Sequence, residues 1–279
     1  MDDHAAIGRS GPEARLITAL TCILLLLLLL PIVMVLAMSF TSVTTLQFPP
    51  PDLSLRWYAE VWSMLSDAQG DFTRLRESFE TSFLIAAATS MVCLVAGVPA
   101  SYALVRFRFL GRRVVEELLL SVPIIFPTVV LGVSLLVIVS ISGVDLGIFQ
   151  IVIAHSIIGL PFMMRNCVAA LHGIDPSLQE AAKTLGASSV RAFVEVILPL
   201  IRGGMSSGVL LVFILSFNEF TLSYFLYTVD VFPLSIWLFQ QSNTSFSPAI
   251  FAVSSLMIVI NIAVILIVDK AFGTQRAVR

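Results

Sequence analysis

The chain has 279 residues, 58% of them hydrophobic and 12% charged, with a net charge of -2 and a mean hydropathy of +0.99. A soluble domain carries about 25% charged residues, so half the usual charge is missing and a water-soluble core of this apolar content is excluded. The charge balance leaves no basic footprint for nucleic acid. Three cysteines without a CxxC spacing, Cys22, Cys93 and Cys167, argue against a disulfide framework or a zinc site and read as small core residues.

About 20 apolar residues are needed to cross about 30 Å of hydrocarbon. The sequence offers six such runs, near 16–40, 79–104, 118–140, 147–171, 203–227 and 249–268. The first is longer than the apolar core of a signal peptide and lacks a strongly basic flank, so it is expected to be a retained span. Segment 41–78 is the one sizeable external loop. Pro49, Pro50 and Pro51 stiffen its start, and Leu55–Trp62 reads as a short amphipathic helix with Trp57, Tyr58 and Trp62 at the membrane interface. Pro123, Pro127 and Gly132 in the third run and Pro161 in the fourth are sites for kinks. Gly204-x-x-x-Gly208 in the fifth fits close helix packing. The connections 141–146 and 228–247 hold Asp145 and Asp230 and no basic residue.

Orientation follows from the lysines and arginines. Loop 105–117 holds Arg106, Arg108, Arg112 and Arg113. Loop 172–202 and its borders hold Arg165, Lys183, Arg191 and Arg202, and the ends hold Arg9, Arg15, Lys270, Arg276 and Arg279. Only Arg56, Arg74 and Arg76 fall on the opposite side, so thirteen of the 16 basic residues put both termini in the cytoplasm. The expected fold is all-α and polytopic, with about six transmembrane helices in a single domain spanning 1–279.

The most informative stretch is 175–199. Asp175 is placed to cap a helix with Pro176 at its first position. Gly186 follows as a C-cap. A second segment begins near Ser188 or Ser189, with Val190, Phe193, Val194 and Ile197 on one apolar stripe, and Pro199 breaks or kinks the approach to the fifth span. The first helix would expose Ala181, Ala182 and Leu185 beside Glu180 and Lys183. Small exposed side chains let another protein's backbone come close.

This stretch resembles the EAA loop of ABC-importer permeases. Glu180-Ala181-Ala182, three residues, Gly186, nine residues, then Val196-Ile197-Leu198-Pro199 departs from the family pattern only at Val196, where isoleucine is usual. The resemblance implies a type I ABC-importer permease in a bacterial inner membrane, forming half of a translocation path. Residues Glu180, Ala181, Ala182, Leu185 and Gly186 would form the coupling helix that docks in a groove of a separate ATPase subunit. A dimer of those subunits would bind ATP and Mg, this chain needing no cofactor of its own. A second, homologous permease subunit and an extracytoplasmic solute-binding protein complete the implied assembly. Softer likenesses at Leu53–Tyr58, Ser216–Glu219, Leu234–Trp237 and Ser247-Pro248 point to the polyamine (spermidine/putrescine) branch. Permeases for ferric ion, sulfate, thiosulfate and opine-like compounds share parts of them. Opine-like or other amino-acid-derived solutes are therefore the alternative.

Polar groups at membrane depth need partners or a task. Glu219, with Asn218, Phe220 and Tyr224, is the foremost case: a carboxylate beside aromatic rings suits an ammonium group. Two readings stay open: Glu219, Tyr224 and Asn218 line a cation path, or Glu219 pairs with a residue of the partner permease or sits near a cytoplasmic gate. His155 reads as a hydrogen-bonded packing residue. No Gly-x-x-x-x-Gly-Lys sequence, metal-ligand cluster or nucleophile–base set is present in the sequence, so hydrolysis of ATP is expected in another subunit. A stand-alone secondary transporter would be expected to show internal inverted repeats, and an intramembrane enzyme a nucleophile or metal site.

Overall fold

The computed structural model describes residues 12–66, 73–244 and 246–272. Arg9, Arg276 and Arg279 of the topology count, and part of segment 41–78, lie outside the described residues. Among the described residues the fold is helical, with a single isolated bridge between Thr41 and Leu53 and no strand. Four helices are long and apolar enough to cross a bilayer alone: α1 (Pro12–Met38), α3 (Thr73–Arg106), α7 (Ile148–His172) and α14 (Ala249–Phe272), with α2 (Arg56–Ser66) between the first two. Two bent pairs raise the number to six when each is taken as one span.

The first bent pair falls in the third run, where a kink was expected, but the bend is far sharper than a kink. Helices α4 (Arg112–Leu120) and α5 (Val122–Ile125) meet α6 (Thr128–Ser142) at 101°. The cause is local. Pro127 has no N–H to donate and disfavours helical backbone in the residue before it, and Phe126 is accordingly extended at φ -68, ψ 134. Pro161, by contrast, sits inside an unbroken α7, its ring buried among neighbours.

The second bent pair surrounds the entrance to the fifth span. After α8 (Pro176–Thr184) and α9 (Ser189–Ala192), a π turn at Phe193–Ile197 leads into α10 (Leu198–Leu200), and the chain bends by 72° at Ile201 into α11 (Arg202–Asn218). Pro199 cannot donate, and the Leu198 N–H reaches five residues back to the Phe193 carbonyl. The fifth span itself is also interrupted: α11 ends at Asn218 and α12 covers Thr221–Leu226. Segment 228–247, read from sequence as a plain connection, contains α13 (Leu234–Thr244), with Leu234, Ile236 and Trp237 buried.

Contacts divide the chain into two compact units, Met1–Ser63 with Ser245–Ile258 and Met64–Thr244 with Val259–Arg279. In the smaller unit α1 is exposed along nearly its whole length, and the hydroxyls of Thr18 and Thr21 bond the carbonyls of Ala14 and Ile17 at 2.8 Å. That is how a helix surrounded by hydrocarbon satisfies its own polar groups. Of the three rings expected at the interface, only Trp62 is exposed. Trp57 is buried, and the Tyr58 hydroxyl lies 2.8 Å from both Ser39 and Ser255. These two rings tie the loop to the unit's core instead of anchoring it in lipid.

The larger unit is built on α3, α7 and α11, which pack on one another. One buried cluster joins Cys93, Val98, Met163, Cys167, Leu171, Ile197, Ile201 and Val212, and a second joins Ile85, Ile151, Val152, Ala154, Ile158, Leu222, Leu226 and Val231. Gly204 and Gly208 let α11 approach α7 closely, as their spacing implies: a methyl on either would fall within 2.6 Å of α7 atoms.

Candidate functional site

Two groups of residues singled out by sequence sit along α7 and α11. The first is the loop after α7. Asp175 caps α8 through its side chain, Oδ1 accepting the Ser177 N–H at 2.8 Å. That backbone hydrogen bond, with the hydroxyl of Ser177 and the charge of Arg106, holds the Asp175 carboxyl below the usual carboxylate range. α8 closes at Gly186, whose φ of +92 is the left-handed conformation that favours glycine, with Gly186 N–H on Lys183 O at 2.9 Å and Ala187 N–H on Ala182 O at 3.1 Å. Ser188 then caps the next segment, accepting the Arg191 N–H at 3.2 Å.

One face of α8 is open. Glu180, Ala181 and Leu185 are exposed, Leu185 at 89%, and Ala182 is half-buried. Glu180 is joined to Lys183 at 3.2 Å. The other face is fastened to the end of α3. Gln179 is buried and donates to the Tyr102 hydroxyl, the Tyr102 ring packs on Phe193 with centroids 4.6 Å apart, and Arg106 donates to the Ile174 carbonyl at 3.0 Å. Sequence reasoning missed Gln179, Tyr102 and Arg106. Their partners lie some 70 to 90 residues away, and no local pattern marks them. The expected stripe on the second segment is divided: Phe193 and Ile197 turn inward, whereas Val190 and Val194 are exposed. The π turn changes the residue-to-residue rotation, so a 3.6-residue period does not carry through it.

The second group surrounds the break in the fifth span. Glu219 does not sit within a helix, as the sequence reading placed it. Its backbone is extended (φ -71, ψ 122), and its carboxylate caps α12. Oε2 accepts the N–H groups of Leu222 at 2.8 Å and Ser223 at 3.3 Å, and Oε1 accepts that of Thr221 at 3.1 Å. Its carbonyl accepts the hydroxyls of Ser223 at 3.1 Å and Ser235 at 3.0 Å. His155 Nε2 lies 3.5 Å from Oε2, and the two side chains are 1% and 10% exposed. The carboxylate is thus spent on the protein's own backbone and histidine, a pairing within the chain that neither reading of the sequence foresaw. The rings beside it remain available: Tyr224 is 43% exposed and, with Phe220, Phe225, Tyr227 and Phe239, makes a cluster with centroids 4.9–6.3 Å apart. Asn218 faces away from Glu219, and its amide pairs reciprocally with Asn261 at 3.2 and 3.3 Å. Asn261 and Phe239 were missed by sequence reasoning. The open face of α8 and the break lie toward opposite ends of α7: His155 and His172, the last residue before the loop, are about 25 Å apart at 1.5 Å per residue.

Long apolar helices lead into and out of the exposed, capped α8, an arrangement suited to a membrane protein. Residues 94–271 match the family described as the binding-protein-dependent transport system inner membrane component, and the chain belongs to that family. It is a permease subunit of an ABC importer, a multi-pass protein of the inner membrane. The chain is 29% identical over 225 residues to the spermidine/putrescine transport system permease protein of Haemophilus influenzae, covering 81% of this chain and 87% of that protein. It is 33% identical over 205 residues to a probable molybdenum ABC transporter permease of Haloferax volcanii, covering 70% and 75%. The fold is that of a chain in the crystal structure of a bacterial alginate ABC transporter in complex with an alginate pentasaccharide-bound periplasmic protein. That match has a TM-score of 0.70 at 13% identity, covering 92% of this chain and 93% of that one.

Proposed function

We infer that this permease carries small organic cations, polyamines foremost, and is driven through α8 by an ATPase subunit. The observation that carries the substrate reading is the aromatic cluster of α12 and α13. Tyr224 and Phe239 are 43% and 40% exposed, and a ring face attracts an ammonium group by about 0.5–2 kcal/mol according to its desolvation. The same helices carry no lysine or arginine, and the connections 141–146 and 228–233 carry only Asp145 and Asp230. A path for an oxyanion needs cationic or N–H donors in those places. The polyamine permease among the relatives agrees with this chemistry. The molybdenum permease, at slightly higher identity over a shorter stretch, supports the second reading, an oxyanion. Opine-like or other amino-acid-derived solutes are the alternative within the same importer class.

In this reading Glu180, Ala181, Ala182, Leu185 and Gly186 form the docking helix. The support is its exposed small and apolar face, stiffened by two caps and held from behind by Gln179 and Arg106. ATP and Mg reside in a pair of ATPase subunits, and a homologous permease subunit completes the path opposite Phe220 and Tyr224. Both termini face the cytoplasm. ATP binding draws the two docking helices together and opens the path toward a loaded binding protein, and hydrolysis resets it. Uptake of radiolabelled putrescine, spermidine and molybdate into a strain lacking its own polyamine and molybdate importers, complemented with the whole operon, tests the substrate. Polyamine uptake without molybdate uptake is expected. Molybdate uptake alone would overturn the cation reading.

A further inference from the structure

His155 is buried on α7 and meets both sides of the break in the fifth span. Its Nδ1 lies 2.8 Å from the hydroxyl of Ser216, on α11, and its Nε2 lies 3.2 Å from the hydroxyl of Ser223, on α12. Donor counting fixes the proton. A serine hydroxyl has one hydrogen, and that of Ser223 is given to the Glu219 carbonyl at 3.1 Å. Ser223 Oγ therefore accepts from His155, so the ring carries its proton on Nε2, where it also faces the Glu219 carboxylate at 3.5 Å. Nδ1 is left to accept the hydroxyl hydrogen of Ser216. One ring thus joins α11, α12 and the capping residue between them.

A structural filler would not need this arrangement. Glu219 and Phe220 separate α12 from α11; α12 also packs on α7 through Leu222 and Leu226 and accepts the Gln150 amide at its Leu226 carbonyl at 2.6 Å, and α11 and α7 both lead into the docking loop, one from each end of it. Displacement of the loop reaches the break along both helices, and among the described residues His155 is the side chain that meets hydroxyls on both sides of it.

We propose that His155 is a positioning residue for transport: a Nε2-protonated strap across the α11–α12 break that makes α12, with its aromatic surface, follow α7 when the docking loop moves. This rests on the permease reading and not on the choice of substrate. The test is substrate-free. Val229, 80% exposed just beyond α12, is replaced by cysteine in a chain where Cys22 is changed to serine, Cys93 and Cys167 being buried. The complex, purified with its ATPase subunits and reconstituted, is labelled with a membrane-impermeant maleimide with and without ATP and vanadate. A nucleotide-dependent change in labelling rate is expected for the parent. In Ser216→Ala the ratio of the two rates moves toward one by about fivefold, the shift that loss of one buried hydrogen bond gives a two-state element, and in His155→Leu and Ser223→Ala, which each lose two, it moves further. His155→Gln, which keeps a donor toward Ser223, restores part of it. Should His155→Leu fail to assemble, the two serine variants decide. A parent-like ratio in both serine variants overturns the strap while the permease reading stands. A parent without any nucleotide dependence overturns both.

Discussion

Gly203 and Gly204 are neighbours on α11, yet the structure assigns them opposite tolerances. A methyl on Gly204 would lie 2.6 Å from Ala170 Cβ and 2.7 Å from the Asn166 carbonyl oxygen, whereas one on Gly203 meets nothing within 4 Å. An unstrained contact is about 3.5 Å. Gly204→Ala must therefore part α11 from α7 by most of an ångström, because one obstacle is backbone and cannot rotate away. Overpacking of this kind costs about 1–3 kcal/mol. Alanine regains about 0.5–1 kcal/mol over glycine in a helix interior, at both positions. Gly203→Ala should then be neutral to slightly stabilising and Gly204→Ala lower than it by roughly 2 kcal/mol. Thermal unfolding of the purified chain in mild detergent, followed by tryptophan fluorescence, reads this as a midpoint about 5 °C lower for Gly204→Ala, at about 2–4 °C per kcal/mol for a domain of this size. Gly208→Ala should fall between the two. Its nearest obstacle, Met163 Sδ at 2.6 Å, is the movable end of a side chain, although Met163 Cα at 3.2 Å is not. Equal midpoints for Gly203→Ala and Gly204→Ala would refute the close approach of α7 and α11.

Glu180→Lys should leave the permease folded while cutting ATP-driven uptake at least tenfold, since Glu180 is exposed on the docking face; uptake at the parent rate would count against docking through α8. Gly186→Ala imposes a φ of +92 on a residue with a Cβ and should weaken the end of α8 by about 1–2 kcal/mol, read as faster proteolysis of 176–190. The Asp175 carboxylate is held below its ordinary range, so the cap is fully present above that range and disappears as the pH falls through and below it. Amide exchange across 176–184, corrected for intrinsic rates, should therefore rise in acid for the parent and not for Asp175→Asn. Tyr224→Ala should raise the concentration for half-maximal uptake of putrescine about tenfold, and Tyr224→Phe much less, because the ring face supplies the attraction.

The caps and turn of loop 175–199 were legible because local rules governed them. Asp175, Gly186 and Ser188 each act on residues within four positions, so caps and turn could be read in order. The docking helix's exposed face followed from its small residues. The breaks were less legible. Pro127 announced a kink but not a turn of 101°, and nothing in a long apolar stretch signals that Glu219 will leave the helix and cap the next one. Hydropathy registers the length of a buried segment and is blind to a backbone break whose polar groups are satisfied from within. The Glu219–His155–Ser216–Ser223 network does that, and its members are up to 68 residues apart. Trp57 and Tyr58 misled for a related reason: aromatic rings near a predicted boundary suit an interface, but the contacts of Tyr58 with Ser39 and Ser255 depend on the fold.

The most direct test of the whole account is co-purification of the tagged chain from native membranes in mild detergent, with its companions identified by mass spectrometry. An ATPase carrying a phosphate-binding loop is expected together with a second, homologous permease, as is loss of the ATPase alone when Leu185 on the docking face is changed to aspartate. Recovery of the chain by itself or only with its own copies, with no ATPase under any gentle condition, would contradict it.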